Sequence, residues 1–147
     1  MLTLNELVTK VTEIGQGHKM IKTTYYGNVF DFMAKTPDAR YPAMLFDLEA
    51  ANFEGQVLNV SMLFFFFDRV LAEQTNELDV MNDQLLIASD IVAQLRYQLF
   101  DFLTDGNVPL VFFREETPDI LAGVRASISF EIPFDADRCA VPTTFTY

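Results

Sequence analysis

The sequence holds one thiol, Cys139, and one imidazole, His18, the side chains most often paired as nucleophile and base. They lie about 120 positions apart, so only the fold could bring them together. A thiol becomes nucleophilic when a neighbouring base or cation lowers its pKa, and the sequence around Cys139 offers only Arg138 for that role. The pattern therefore predicts an inert loop thiol, and it predicts that His18 is an ordinary loop or strand-end residue.

Ligands for metals and nucleotides are equally scarce. A structural zinc ion needs four Cys or His ligands, and the chain has one of each. Gly15-Gln16-Gly17 follows a helical pattern rather than a strand, which does not match the dinucleotide fingerprint. Carboxylates could hold a hard cation, although solvated loop acids are commoner, at Asp135 and Asp137 or at Glu115, Glu116 and Asp119. The sequence thus predicts no catalytic residue, no cofactor and no metal, and a chain that is not an enzyme.

Charge is unevenly distributed along the chain. The formal net charge is −11, and every lysine lies within the first 35 residues. Binding to DNA through its phosphates needs a basic stripe that displaces counterions, and the sequence has none. The charge pattern therefore argues against nucleic-acid binding. An acidic surface could still lie near DNA as a wall that does not bind it, although solubility through net charge is the commoner reason for such a pattern.

The length of the chain, 147 residues, suits one domain with a substantial core, so we expect residues 1–147 to form a single domain. A single cysteine cannot form an internal disulfide, which is typical of a reducing compartment such as the cytoplasm. No secretory leader is recognisable. The longest apolar run, Met62–Phe67, is far shorter than the roughly 20 residues of a membrane span.

Two helices are predicted from apolar residues that recur at helical spacing. The first spans about residues 3–14, where Thr3 and Glu6 form the pattern of a capping box. The second spans about residues 79–103 and carries a broad apolar stripe. At 1.5 Å per residue it would reach about 35 Å, the width of the whole domain.

Strands are predicted between these helices and after the second one. The expected strands are residues 20–26, 29–32, 41–48, 57–70, 108–113 and 124–132, followed by an extended C-terminal arm, residues 134–147. In two of them the even-numbered residues, Leu58 to Phe66 and Val124 to Ile132, should face the core. This order predicts an α+β fold in which an antiparallel sheet packs on one long helix.

The chain is rich in phenylalanine, with 15 Phe and no Trp, and four are consecutive at Phe64–Phe67. Neighbouring residues of a strand point to opposite faces, so both faces need a cover. One face can lie under the long helix, and the other would meet another segment or another subunit. Asp68-Arg69 is equally consistent with an ion pair to a neighbouring element and with solvated charge. The predicted interface residues are Phe65, Phe67, Asp68 and Arg69, with Phe145 and Tyr147 in the arm.

Several short motifs resemble those of small neck and tail proteins of tailed bacteriophages, particularly crAss-like phages of gut bacteria. They are Met20–Gly27, Tyr41-Pro42-Ala43-Met44, Phe67-Asp68-Arg69-Val70, Asn76-Glu77, Asp79-Val80 and Asp90-Ile91-Val92, and the likeness covers most of residues 1–133. The order of elements is similar to that of tail-terminator and tail-completion proteins. The resemblance implies a non-enzymatic virion protein, made in the host bacterial cytoplasm. It would form a homo-oligomeric ring that contacts other neck, portal or tail proteins and leaves a channel for DNA.

Two other classes of function remain open. A small intracellular adaptor or ligand-binding domain would use an aromatic pocket between sheet and helix. An enzyme would need a cleft with convergent polar groups, for which the sequence supplies no nucleophile–base pair. A ring instead needs two different surfaces on each subunit, because only a heterologous contact closes into a cycle. The candidate surfaces are the odd-numbered face of the 57–70 strand and the C-terminal arm.

Overall fold

Two helices and six strands make up the part of the chain that the computed structural model describes, which is residues 3–28, 31–32, 34, 40–70, 76–97, 102–104, 106–116 and 120–133. In chain order they are α1 (Leu4–Gly17), β1 (Thr23–Tyr26), β2 (Ala43–Glu54), β3 (Val57–Arg69), α2 (Glu77–Tyr97), β4 (Leu103–Thr104), β5 (Leu110–Glu116) and β6 (Ile120–Pro133). They form one α+β domain, which confirms the predicted fold class. Among the described residues, no helix combines the length and the apolar character needed to cross a membrane.

The centre of the sheet is the pair β3–β6, which is antiparallel over its whole length, from Val57 opposite Pro133 to Arg69 opposite Leu121. β2 and β3 form a long hairpin whose turn is at Gly55, where φ is +61°. Glycine adopts this left-handed conformation without the clash that a Cβ would cause. The even-numbered residues of β3 from Val60 to Phe66 are buried, as the alternation predicts.

One edge of the sheet differs from the prediction. The strands were expected to be antiparallel throughout, but β1 runs parallel to β2, with Thr23 opposite Ala43 and Tyr26 opposite Phe46. Parallel neighbours cannot be joined by a tight turn and need a crossover segment, here residues 27–42. Part of that crossover is helical at Asp31 and Phe32, where an extended strand was predicted. The sheet is therefore mixed.

Both helices cover the same face of the sheet. α1 starts with the predicted capping box, in which Thr3 and Glu6 exchange hydrogen bonds of 3.1 Å, and it ends at Gly17 rather than residue 14. α2 ends at Tyr97, not at residue 103, because Leu103 and Thr104 pair with β6 as strand β4. The helices and this face of the sheet enclose the main core, whose largest side chains include Phe46, Phe64, Phe66, Phe130 and Leu95.

Other strand boundaries are close to those expected. β2 starts two residues after Tyr41 and continues to Glu54, six residues beyond the predicted end at residue 48. β5 covers most of the predicted 108–113 strand but extends three residues further, to Glu116. β6 contains the whole of the predicted 124–132 strand. The C-terminal arm, residues 134–147, lies outside the described residues.

Candidate functional site

The imidazole of His18 links the two helices. His18 follows α1, and its Nε2 lies 2.9 Å from Oδ2 of Asp90 on α2, while its Nδ1 accepts a 3.1 Å hydrogen bond from the amide of Met20. Because Nδ1 accepts a hydrogen bond, the ring N–H is at Nε2, and this N–H donates a hydrogen bond to the Asp90 carboxylate. His18 therefore acts as a tie between α1 and α2, a more specific role than the loop residue that the sequence predicted.

A cleft of about 460 Å³ lies beside this tie. Its walls are residues of α1 and α2 together with His18, namely Lys10, Glu13, Ile14, Gly17, His18, Asp90, Ile91 and Gln94. The lining contains a base and carboxylates but no hydroxyl or thiol group, so it lacks the nucleophile that a His–Asp pair would activate. Cys139 lies outside the described residues. Within the described ranges, no three His, Cys, Asp or Glu side chains are grouped in a way that could hold a metal ion.

The odd-numbered face of β3 is covered by the chain itself at Phe67. This ring is 2% exposed and lies in a second cluster of buried residues, with Phe32, Ala43, Leu45 and Leu121. Its ring centroid is 5.7 Å from that of Phe32 and 6.4 Å from that of Phe113, both in edge-to-face arrangements. The crossover between β1 and β2 supplies Phe32. Burial within one chain removes the reason for expecting Phe67 at an interface.

Phe65 is less completely covered. It is partly buried, and its ring contacts Phe113 edge-to-face at a centroid distance of 5.7 Å. Further along the same face the side chains become polar, and the hydroxyls of Ser61 and Ser129 lie 3.2 Å apart. The odd-numbered face is thus apolar at one end, where the crossover covers it, and polar at the other.

The two charged residues at the end of β3 have separate environments. The Asp68 carboxylate accepts a 2.7 Å hydrogen bond from the amide of Arg69. Burial raises the pKa of this carboxyl above its ordinary value, and the negative charge of Asp83 on α2 adds to the rise. The Arg69 guanidinium lies 4.8 Å from the centroid of the Tyr41 ring, a cation–π contact that holds the crossover on the sheet. Phe145 and Tyr147 lie outside the described residues.

The sheet also has an exposed apolar edge that the sequence reasoning did not single out. β5 pairs with β6 on one side, and no described strand pairs with its other side. Leu110, Val111 and Phe112 are 38%, 46% and 53% exposed. An edge strand offers unpaired N–H and C=O groups to another chain, and proteins commonly protect such edges with charge. The uncharged run from Val108 to Phe113 was the available signal.

A groove runs between this edge and α2. Its volume is about 270 Å³, and it is lined by Ala88, Ser89, Val92, Ala93, Arg96, Val108 and Leu110. Phe112 extends the apolar wall, since Leu110 and Phe112 pair with Ala126 and Val124, which face the helices. The Arg96 guanidinium donates to the carbonyl of Gly106 and places a positive charge in the lining.

The β2–β3 hairpin projects beyond the layer of helices. All residues from Glu49 to Gln56 are exposed, and Phe53, opposite Leu58, has 62% of its surface open. A register shift between Leu48 and Ala50 marks a bulge at Glu49. Bulges bend and twist a strand, which turns the end of the hairpin relative to the sheet. An aromatic ring so exposed on a projecting turn is a typical contact residue.

Comparison with known proteins gives no family for this chain. No family model matches it, and no curated protein matches it. One solved structure that it resembles weakly is the histidine kinase domain from the Erythrobacter litoralis EL346 blue-light activated histidine kinase. The TM-score is 0.24 at 14% identity, and the match covers 88% of this chain and 60% of that one.

Proposed function

We propose that this chain is a structural protein that assembles with copies of itself into a ring, in the neck or tail of a tailed bacteriophage particle. The ring joins the portal or neck to the tail and leaves a channel for DNA. Other neck, portal or tail proteins are its further partners. Its place in the virion and its lack of enzymatic activity belong to the same proposal.

The observation that carries the proposal is the apolar edge strand β5. Leu110, Val111 and Phe112 expose apolar side chains on both faces of a strand whose outer side is paired with no described strand. A second chain that pairs with β5 would satisfy the backbone groups and bury these side chains at once. Assembly also accounts for Phe53, which projects at a distance from this edge.

Two further features support a ring that surrounds DNA. The chain carries a net charge of −11, and an acidic channel wall would keep DNA from adhering while it passes. The motifs between Met20 and Val92 resemble those of phage neck and tail proteins. The lining of the cleft beside His18 contains no Ser, Thr or Cys, so the His18–Asp90 pair has no hydroxyl or thiol there to activate.

The test is the oligomeric state of the purified chain, alone and after co-expression with the products of its neighbouring genes. Light scattering after size exclusion and native mass spectrometry give the stoichiometry, and electron microscopy shows whether the particle is a closed ring. We expect a cyclic oligomer with a central opening. A chain that stays monomeric at about 1 mM, where about 4 kcal/mol of association free energy suffices, and that also stays monomeric with its co-expressed neighbours, contradicts the proposal. A monomer that binds a small apolar molecule would instead support the ligand-binding alternative.

A further inference from the structure

Two exposed surfaces of the molecule are suited to contact each other. The first is the hairpin tip, residues 50–56, which carries the exposed ring of Phe53. The second is the groove between α2 and β5, whose floor is formed by small side chains such as Ala88 and Val92 and whose wall is formed by Leu110. One surface projects and the other is recessed, so each can bury what the other exposes.

The register of the strands places these surfaces on opposite edges of the sheet, because β2 and β5 lie on opposite sides of the β3–β6 pair. The hairpin end of β3 pairs with residues 129–133 of β6, whereas Leu110 in the groove pairs with Ala126, near the middle of β6. A single molecule therefore has the hairpin tip at one end of one edge and the groove partway along the other edge. Contact between them joins one copy to the next head to tail.

Charge favours the same pairing. No lysine or arginine occurs in residues 41–68, and the exposed half of β2 carries the acids Glu49 and Glu54. The groove contains Arg96, whose guanidinium places a positive charge in its lining. The acids of β5 itself, residues 115 and 116, are at the other end of that strand. Opposite charges at the rim of a contact select the partner and its orientation.

We propose that the hairpin tip of one copy docks into the α2–β5 groove of the next copy, with Phe53 as the inserted side chain. This inference rests on the proposed ring, since it assigns the surfaces that make the seam. The contact is heterologous, because the hairpin tip never meets another hairpin tip, and repetition of such a contact closes into a ring when its rotation divides a full turn. It also brings the exposed edge of β2 beside the exposed edge of β5.

Two variants test the seam, one on each surface. Phe53→Ser removes the inserted ring, and Phe112→Ser removes the ring that extends the wall beyond Leu110; both positions are more than half exposed, so the fold should tolerate the change. Each variant alone should lose assembly, with association weaker by about 30-fold or more, as expected for a central aromatic contact. Leu86→Ser is the matched control, an exposed apolar residue of α2 outside the groove, and it should assemble like the wild type.

Mixing the two variants gives the sharpest result. The Phe112→Ser chain keeps an intact hairpin tip, and the Phe53→Ser chain keeps an intact groove. These two surfaces can form one contact, and the surfaces left over in the pair are both altered, so no further chain can be added. We expect a 1:1 heterodimer in native mass spectrometry and no larger species. Recovery of the full oligomer on mixing would overturn the head-to-tail assignment.

A disulfide provides an independent measurement. Phe53→Cys and Leu110→Cys, placed on separate chains that also carry Cys139→Ser, should give a cross-linked dimer on oxidation, which requires Cα atoms within about 7 Å. Variants that all assemble like the wild type and do not cross-link would overturn the seam and leave the ring standing. A wild-type chain that fails to assemble would overturn the ring, and the seam with it.

Discussion

Gly123 is the position where a single methyl group should damage the fold most. It lies in β6 with Phe67 opposite on β3 and Phe113 opposite on β5. A Cβ built on Gly123 would lie 1.8 Å from the carbonyl oxygen of Phe66 and 2.8 Å from the Cα of Phe67. Both contacts are with backbone, which cannot rotate away as a side chain can. Only glycine fits here, and the two aromatic rings meet beside it.

The expected magnitude follows from this overlap. Real Cβ atoms essentially never approach other atoms within 3.0 Å, so β3 and β6 would have to move apart by at least 1.2 Å, the difference between 3.0 and 1.8 Å. Overpacking against movable side chains costs about 1–3 kcal/mol, and a clash with the backbone of the central strand pair should exceed that range. Alanine also restricts the unfolded chain more than glycine does, which stabilises the folded state by about 0.5–1 kcal/mol and offsets part of this loss. We expect Gly123→Ala to lower the free energy of unfolding by about 3–4 kcal/mol.

Such a loss is a large part of the roughly 5–15 kcal/mol that holds a domain folded. For a chain of this size it corresponds to a fall in Tm of about 10 °C. Urea titration followed by far-UV circular dichroism measures the free energy, and near-UV circular dichroism reports the packing of the Phe67 and Phe113 rings.

Gly17→Ala provides the matched control. A Cβ at Gly17 meets nothing within 4 Å, and the residue ends α1 without a left-handed φ. This substitution should leave stability within about 1 kcal/mol of the wild type, with stabilisation the expected sign. If Gly123→Ala unfolds at the same urea concentration as Gly17→Ala, the close approach of β3 to β6 at this point is refuted.

Three other substitutions test separate features. Gln84→Met should raise the free energy of unfolding by about 1–3 kcal/mol in a urea titration, because the buried Gln84 amide has no hydrogen-bond partner in the described structure. Asp68→Asn should stabilise the protein at neutral pH. Since burial raises the folded-state pKa of this carboxyl above the 3.8 of an unfolded chain, its ionisation costs stability as pH rises through that folded value, and the advantage of the variant should disappear below pH 3.8. Thr3→Ala should lower stability by about 1 kcal/mol through loss of the capping box, and Tm should fall accordingly.

The parts of the fold that the sequence predicts best are those decided by local alternation. Even-numbered residues of β3 and β6, such as Phe66 and Ile128, are buried as the period-two pattern requires. The predicted end of α2, at residue 103, is wrong because a long-range strand pairing replaces the helix there. Phe102 and Leu103 continue the helical spacing, yet Phe102 packs edge-to-face on Phe130 at 5.1 Å, and Leu103 pairs with β6. Long-range pairing overrides a local pattern, and sequence periodicity alone does not contain it.

The same limit explains what was missed about the candidate surfaces. The sequence shows correctly that Phe67 needs a cover, but nothing local indicates that the crossover would provide it through Phe32. The crossover lies there because β1 runs parallel to β2, a pairing decided by residues 20 positions apart in the chain, Thr23 and Ala43. Once that face is covered, the first half of β5, with Leu110, Val111 and Phe112, remains a contiguous exposed apolar feature among the described residues.

An edge strand differs from a sheet face in how it can be protected. A face is hidden once side chains cover it, as Phe32 and Tyr41 cover Phe67, but an edge keeps its backbone donors and acceptors until another strand pairs with them. Proteins commonly protect such edges with charge or proline; Pro109 precedes β5 and its charges are at Arg114–Glu116, whereas Leu110–Phe113 has none. A chain with a net charge of −11 has acids available for that protection, yet it keeps the first four residues of β5 apolar. Among the described residues no strand pairs with the outer side of β5, as expected of an edge that a second subunit covers, and for this reason the assembly proposal rests on β5 rather than on the phenylalanines of β3.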